Sequence, residues 1–213
     1  MQTAEPAFPK KIFNVSLHRS GTQSFNNLCE RLGLRAQHWP GFEFDKLCSS
    51  ALESLNGQLV WDLYKTRVLS NDTFCDLPVP FVYEQAVRDY PDAYFLIVLR
   101  TPSSWIKSIR RHTRNRDLDV MEKFQYWSIC EVRKDHISKY SDEELEQAYI
   151  KFFAKATNTI VGHSAKYQVF NLESPKLGSE IAEFLGFAGR DIQFENVDIN
   201  RKFYGDTTSQ SDL

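Results

Sequence analysis

The uninterrupted apolar run from Ala93 to Leu99 (AYFLIVL) is the feature that most constrains the fold. It shows no alternation of polar and apolar residues, which is typical of a central parallel strand covered on both faces. A shorter run, Lys11 to Leu17 (KIFNVSL), ends in polar sequence that contains glycine. We therefore predict a second buried strand there.

Helical patterns alternate with these runs. After the first run, apolar residues fall at i, i+3, i+4 and i+7, namely Phe25, Leu28, Cys29 and Leu32. Gly33 supplies a C-terminal stop for this helix. After the second run, Pro102 suits the first turn of another helix, which carries Trp105, Ile106 and Ile109.

Further elements follow from capping and periodicity. They are a helix over Phe81 to Asp89, a long helix from the capping box Ser141 to Glu144 through about Val161, a strand over Tyr167 to Leu172, and a helix from Ser174-Pro175 to near Phe187. Strands that alternate with helices predict an α/β three-layer sandwich with a mostly parallel central sheet. Because no repeat or linker marks a boundary, we expect a single domain over residues 1–213, with tails at 1–10 and 207–213.

Charge excludes some classes of partner. The 213 residues contain 26 Lys and Arg against 28 Asp and Glu, a formal charge of −2. This balance argues against binding to nucleic acid or an anionic membrane through net charge alone. Any bound anion must therefore be held by a local site.

The sequence also bears on the compartment. No apolar run approaches the roughly 18 residues that cross a bilayer, and MQTAEPAFPKK is not a secretory signal. The cysteines, at positions 29, 48, 75 and 130, lie far apart and show no metal-ligand spacing. Scattered thiols suit a reducing compartment, so we expect a cytoplasmic protein without a bound metal.

The segment Ser16 to Ser24 (SLHRSGTQS) joins the first strand to the first helix. The backbone N–H groups and the dipole at a helix start make a ready anion site. Against the nucleotide-binding pattern GxxxxGK[ST], Gly21 matches the second glycine, but Ser16 replaces the first and Thr22 replaces the lysine. ATP or GTP hydrolysis is therefore disfavoured, and the cation stands earlier, at Arg19.

A strand that runs into Arg19-Ser20-Gly21-Thr22 resembles the [K/R]-S-G-T signature of sulfotransferases that use 3′-phosphoadenosine 5′-phosphosulfate (PAPS). The resemblance implies a P-loop NTPase-like fold. It also implies that Arg19 stabilises charge on the bridging oxygen as the sulfuryl group leaves. The residues expected to hold the 5′-phosphosulfate are Arg19, Ser20, Gly21, Thr22, Gln23 and Ser24. A purely structural turn also favours such residues, and that alternative stays open.

A second element is similar to the 3′-phosphate element of the same family. Arg100 ends the apolar run, and Ser108 lies eight residues further on. Arginine offers a two-pronged fork to phosphate and serine adds an oriented donor. Arg201 and Lys202, with Gly205-Asp206 beyond them, are similar to the loop that closes over the 3′-phosphate. The sequence departs from the family pattern at His18, at Gln23 and after Lys202, where proline, threonine and glycine are frequent.

Sulfuryl transfer requires the acceptor to lose a proton. Asp76 occupies the position of the histidine base that the resemblance implies, just before Leu-Pro, and is either the base or a cap of the next helix. His18, beside the loop, either contacts the sulfuryl group or the acceptor, or is structural. Glu84 and His112 are further candidates, although a solvated surface position is the preferred interpretation of each. His38, His136 and His163 show no metal-ligand spacing and receive no role.

Two segments are candidates for the acceptor pocket: Gln37 to Phe44, rich in aromatic residues, and Arg110 to Trp127. The second carries Arg110, Arg111, Arg114 and Arg116, which bind the 3′-phosphate, bind an acidic acceptor, or form a solvated helix face.

The sequence thus predicts transfer of a sulfuryl group from PAPS to a hydroxyl or amine of a small-molecule or glycan acceptor. The product of the donor is 3′-phosphoadenosine 5′-phosphate. The alternatives are a nucleotide-dependent phosphotransferase with a degenerate loop, and a non-catalytic nucleotide-binding module of the same fold.

Overall fold

The computed structural model describes residues 9–189 and 193–195. Its sheet consists of parallel strands in the order β2-β3-β1-β4-β5. The strands are β1 (Ile12–Asn14), β2 (Ala36–Gln37), β3 (Thr73–Phe74), β4 (Tyr94–Leu99) and β5 (Lys166–Asn171). The helices are α1 (Thr22–Arg31), α2 (Phe42–Leu52), α3 (Gly57–Ser70), α4 (Val79–Asp89), α5 (Pro102–His112), α6 (Val120–Cys130), α7 (Asp142–Gly162) and α8 (Leu177–Phe184), with a short 3₁₀ helix at Ile137–Lys139.

The side chains of β4 pack into two cores, one on each side of the sheet, because successive side chains of a strand point to opposite faces. Phe95 and Ile97 join the larger core, which α2 to α7 cover. Leu96 and Val98 join the smaller core, which α1 and α8 cover. The predicted three-layer α/β sandwich with a parallel central sheet is therefore confirmed.

Strand β1 lies at the centre of the sheet and is shorter than its apolar run. Ile12 is in register with Thr73 on one side and Tyr94 on the other. Beyond Asn14, the Val15 N–H still donates to the Leu96 carbonyl, at 2.8 Å. At Ser16 the side-chain hydroxyl takes over and accepts from the Val98 N–H, at 2.7 Å. The chain therefore leaves the sheet at this point and enters the loop before α1.

The helices with strong local signals lie where the sequence predicts them. The capping box of Ser141 and Glu144 opens α7, and Pro102 is the first residue of α5. Helix α8 differs, because it begins at Leu177 while the Ser174 hydroxyl accepts from the Lys176 N–H before the helix starts. Helices α2, α3 and α6 and strands β2 and β3 were not predicted, and these two strands have only two residues each.

The parallel sheet brings four chain segments to one edge. Strands β1 to β4 all end at the same edge, which is where ligands bind in sheets of this kind. There the chain continues into the loop before α1, into His38, into Asp76 and into Arg100. This carboxyl edge is the candidate site.

Two further findings concern the length of the helices and the state of the cysteines. No helix within the described ranges is long and apolar enough to cross a membrane. The cysteines are unpaired thiols: Cys29, Cys48 and Cys75 are buried, and Cys130 is half-buried.

Candidate active site

The loop between β1 and α1 has the left-handed backbone that a tight anion-binding turn requires. Arg19 has φ 69° and Gly21 has φ 78°. A Cβ atom on Gly21 would lie 2.6 Å from Cδ1 of Leu172, so both the backbone and the space favour glycine. Gly21 is the N-cap of α1, whose first turn has no acidic residue and no side-chain cap. The amide end of α1 therefore points into the loop without a capping carboxylate.

Helices α5 and α6 fix this loop through hydrogen bonds to the backbone of His18. The His18 N–H donates to Oε1 of Gln125 on α6, at 3.1 Å. The His18 carbonyl accepts from Nε1 of Trp105 on α5, at 3.0 Å. Trp105 and Gln125 are fully buried, so the loop backbone is fixed by the core.

Arg100 connects the two segments predicted to bind phosphate. One guanidinium nitrogen donates to the Arg19 carbonyl at 2.8 Å, and the other donates to the Ser104 hydroxyl. Tyr149 anchors its backbone, since the phenol accepts from the Arg100 N–H and donates to the Arg100 carbonyl. Burial and then the charge of Arg19 lower the pKa of Arg100, although an arginine remains a cation at any physiological pH. The guanidinium is therefore a fixed charge beside the loop.

Ser108 lies on the same face of α5 as Ser104, one turn further along, and is buried. The structure pairs the Arg100 guanidinium with Ser104, a partner that the sequence pattern did not reveal. The charge of Arg111, a turn beyond Ser108, also acts on Arg100. The predicted residues Arg201 and Lys202, with the Gly205-Asp206 stretch, lie outside the described residues.

Asp76, His38 and Thr22 meet at the start of α1. Oδ2 of Asp76 lies 2.9 Å from Nε2 of His38 and 3.2 Å from Oγ1 of Thr22. Nε2 of His38 is also 3.2 Å from the Thr22 hydroxyl. Burial opposes ionisation of Asp76, but the charge and hydrogen bond of His38 outweigh it and hold the pKa of Asp76 well below its ordinary value.

The alternative role of Asp76 as a helix cap is wrong. Helix α4 follows Pro78 and has no side-chain cap. The other carboxylate oxygen of Asp76 accepts instead from the Leu77 N–H, at 2.9 Å, which satisfies a backbone donor outside the helix. The residue itself has φ 66°, a left-handed conformation that aspartate tolerates better than most residues. The side chain is therefore aimed at the loop.

His38 is a residue of the candidate site to which the sequence pattern assigned no role. Its signal is its place directly after β2, at the carboxyl edge of the sheet. That strand is too short to leave an apolar pattern, so the position of His38 could not be read without the structure.

His18 lies under the loop with a 4% exposed side chain. Burial lowers its pKa to about 4, against the charges of Asp76 and Glu122, so the imidazole is neutral at pH 7. Its Nε2 has no hydrogen-bond partner among residues 9–189 and 193–195. Ligand atoms of His18, His112 and Glu122 all lie within 4.8 Å of one another, a spacing that suits a metal ion. Arg116, however, already binds both oxygens of Glu122, at 2.6 and 2.7 Å.

The remaining loop residues differ in what their side chains contact. The Ser20 hydroxyl is buried and has no hydrogen-bond partner in the described part of the chain. The Gln23 amide donates to Asn27 along α1, at 2.9 Å. Ser24 is buried on the first turn of α1.

The other candidate residues, Glu84 and the arginines from Arg110 onward, differ in the groups that they contact. Glu84 pairs with Lys155 on the protein surface, 2.7 Å apart. Arg110 binds Asp142 and the carbonyls of Ile137 and Tyr140. A cavity of about 350 Å³ is lined by Arg110, Arg111, Arg114, His136, Ile137 and Ser138.

The two segments that are candidates for the acceptor pocket differ in the exposure of their aromatic residues. Phe124 and Tyr126 are core residues rather than pocket residues. Trp39 and Phe42, just after His38, form an edge-to-face pair with 4.5 Å between their ring centroids, and Phe42 is exposed. The segment after His38 therefore presents aromatic surface next to the site.

Comparison with known proteins identifies a family and shows a likeness to solved structures. The model of the family described as "Sulfotransferase domain" matches residues 11–203. The crystal structure of shikimate kinase from Bacteroides thetaiotaomicron is similar, with a TM-score of 0.52 and 12% identity, over 83% of this chain and 98% of the kinase. At this identity the likeness concerns the fold alone, and it agrees with the P-loop-like fold class. No curated protein matches the chain.

Proposed function

The chain belongs to the sulfotransferase domain family, and from this premise we propose that it moves a sulfuryl group from PAPS to a hydroxyl or amine. The acceptor is a small molecule or a glycan. One observation carries the proposal: the Arg100 guanidinium donates to the Arg19 carbonyl at 2.8 Å, so the two expected phosphate subsites are adjacent.

The residues at these subsites fit such a donor. The Ser20 hydroxyl and Nε of Arg100 are buried polar atoms without a hydrogen-bond partner among the described residues. Buried polar atoms usually have a partner, and the oxygens of a sulfuryl or phosphate group would supply one at each subsite. The left-handed turn at Gly21 brings the backbone close without a side chain in the way.

Each group has a proposed role. When bound, PAPS supplies an activated sulfuryl group and departs as 3′-phosphoadenosine 5′-phosphate. The backbone of residues 20–24, with the side chains of Ser20, Thr22, Gln23 and Ser24, binds the 5′-phosphosulfate at the start of α1. Arg19 stabilises the negative charge that develops on the bridging oxygen. Arg100 and Ser108 bind the 3′-phosphate, and Arg201 and Lys202 add contacts to it.

The acceptor side of the site lies beside Thr22. Asp76 and His38 meet the loop there, and their pair supplies the proton acceptor that transfer to a hydroxyl or amine requires. His18 borders the loop from below and contributes a neutral imidazole next to the reacting group. We further propose that the protein acts in the cytoplasm.

A nucleotide-dependent phosphotransferase is the second candidate, since the fold neighbour is a kinase. Thr22 argues against it, because nucleotide-binding loops of this type have lysine at that position. Calorimetry with 3′-phosphoadenosine 5′-phosphate and with ATP separates the two. We expect tighter binding of the former, and tighter binding of ATP would overturn the proposal.

Arg100→Ala tests the subsite. We expect it to weaken binding of 3′-phosphoadenosine 5′-phosphate about 10- to 100-fold, as loss of charged hydrogen bonds does. The matched control is Arg88→Ala, which removes a surface arginine paired with Asp89. Unchanged binding in Arg100→Ala would contradict the assignment.

Incubation with PAPS and a panel of phenols, alcohols, sugars and amines, followed by mass spectrometry, tests the transfer itself. A mass gain of one sulfuryl group identifies the acceptor class. Binding of 3′-phosphoadenosine 5′-phosphate without transfer to any of them would favour the non-catalytic binding module.

A further inference from the structure

Resting on the proposed function, we propose that His38 is the base that takes the acceptor proton and that Asp76 is the residue that positions it. As the acceptor oxygen or nitrogen bonds to sulfur, its proton passes to Nδ1 of His38. The sulfur–oxygen bond to the 5′-phosphate then breaks, and the electron pair leaves with that phosphate.

The geometry sets His38 against the loop. Its Nε2 is 3.2 Å from the hydroxyl of Thr22, which is the first residue of α1. The imidazole therefore stands at the amide end of the helix that is proposed to hold the 5′-phosphosulfate.

The partners of His38 decide which ring nitrogen is basic. An ionised carboxylate only accepts hydrogen bonds, so Nε2, 2.9 Å from Oδ2 of Asp76, carries the hydrogen. In the neutral ring, Nδ1 then has the free electron pair. Within the described ranges nothing hydrogen-bonds to Nδ1, and the side chain is 24% exposed. We therefore place the acceptor at this nitrogen.

Asp76 is poorly suited to take the proton itself. Its two oxygens accept from His38, from the Thr22 hydroxyl and from the Leu77 N–H. Burial by itself would raise the pKa of Asp76, but its contacts outweigh burial and leave the pKa far below its ordinary value, which makes the carboxylate a weak base. The same charge has a use after proton transfer, because an imidazolium at a helix N-terminus is disfavoured by the helix dipole. Asp76 offsets that repulsion, as the aspartate of a Ser-His-Asp triad stabilises its imidazolium.

Other ionisable groups near this pair are less suited. His18 is neutral at pH 7 and only 4% exposed, so an acceptor has less access to it than to His38. Tyr64 on α3 faces Asp76 from the core, where burial raises the pKa of its phenol. Cys75 is fully buried, and burial raises the pKa of its thiol as well.

The test compares His38→Gln, Asp76→Asn and the double variant in sulfuryl transfer from PAPS to the acceptor that the panel identifies. The matched control is His163→Gln, an exposed histidine whose Nδ1 contacts the Thr159 carbonyl at the end of α7. We expect His38→Gln to lower kcat by about 10²- to 10⁴-fold, the range for loss of a general base. Binding of 3′-phosphoadenosine 5′-phosphate should stay within about 3-fold, and the acidic limb of the pH–rate profile should disappear. Because residues that act as a unit are not additive, the double variant should be no slower than His38→Gln.

A structural role would give a different result. If His38 only supported the loop, His38→Gln would weaken nucleotide binding and leave the shape of the pH profile unchanged. His38→Gly offers a second check, because free imidazole should restore transfer if the ring acts as the base. Retention of kcat by His38→Gln within about 3-fold, or the absence of any rescue, would overturn the inference alone. If the unsubstituted chain neither binds 3′-phosphoadenosine 5′-phosphate nor transfers sulfuryl, the proposed function fails first and the inference fails with it.

Discussion

Gly21→Ala should damage both the stability of the protein and its nucleotide site. Two separate effects act there: the backbone has φ 78°, and a Cβ atom would lie 2.6 Å from Cδ1 of Leu172. Left-handed backbone costs a residue with a side chain about 1 to 2 kcal/mol. Crowding a packed site adds about 1 to 3 kcal/mol, and we expect about 1 because Leu172 is a flexible side chain. The free energy of unfolding should therefore fall by about 2 to 3 kcal/mol.

Gly33→Ala is the matched control at the other end of α1. Gly33 has φ 84°, but a Cβ atom there would meet nothing within 4 Å. Only the backbone effect applies, so the free energy of unfolding should fall by about 1 to 2 kcal/mol. Urea unfolding of both variants isolates the steric contribution as the difference between them.

Nucleotide binding separates the two variants further. Gly21→Ala displaces either Leu172 or the loop, so the affinity for 3′-phosphoadenosine 5′-phosphate in calorimetry should fall. Gly33→Ala lies a full helix away and should leave that affinity unchanged. Equal loss of stability in both variants, with unchanged affinity in Gly21→Ala, would refute the reasoning.

Two further predictions concern the support of the loop. The folded pKa of His18 is lowered to about 4, so below about pH 6.5 the unfolded chain binds a proton that the folded chain does not. The free energy of unfolding should therefore fall as the pH drops from about 6.5 to 4, by at most about 1.4 kcal/mol per pH unit. Urea unfolding should show a flatter pH dependence in His18→Gln, and an unchanged slope would contradict the assignment. Trp105→Phe leaves the buried His18 carbonyl without its 3.0 Å donor, which should cost about 1 to 3 kcal/mol in thermal or urea unfolding. A loss below about 0.5 kcal/mol would mean that water replaces the indole.

The fold was predictable where a single segment holds the information. The run that becomes β4 is apolar because both of its faces are covered, and the capping box of Ser141 and Glu144 is a local interaction. Strands β2 and β3 have no such signal. Each pairs over only two positions, Ala36 with Thr73 and Gln37 with Phe74, and parallel partners distant in the chain leave no local pattern.

The candidate site likewise has parts that the sequence predicts and parts that depend on tertiary packing. The loop from Arg19 to Thr22 and the position of Arg100 follow from short stretches at strand ends. The partners of Arg100 do not: the guanidinium binds Ser104 and the Arg19 carbonyl, which depends on how α5 crosses the loop. The buried environment of His18 likewise comes from α5 and α6, two helices that follow it by many residues.

The sequence by itself determined the loop, because left-handed turns and helix starts are set by the residues within them. Its formal charge of −2 also excludes the binding of polyanions through net charge alone, so any anion site must be local. Only the tertiary structure decided which groups the side chain of Asp76 contacts. Its cap role was as reasonable as a catalytic one until β2 and β3 were seen side by side, with His38 and Asp76 following them. The strand order 2-3-1-4-5 brings these residues together at one sheet edge, since parallel pairing joins segments by hydrogen bonds that no local pattern specifies.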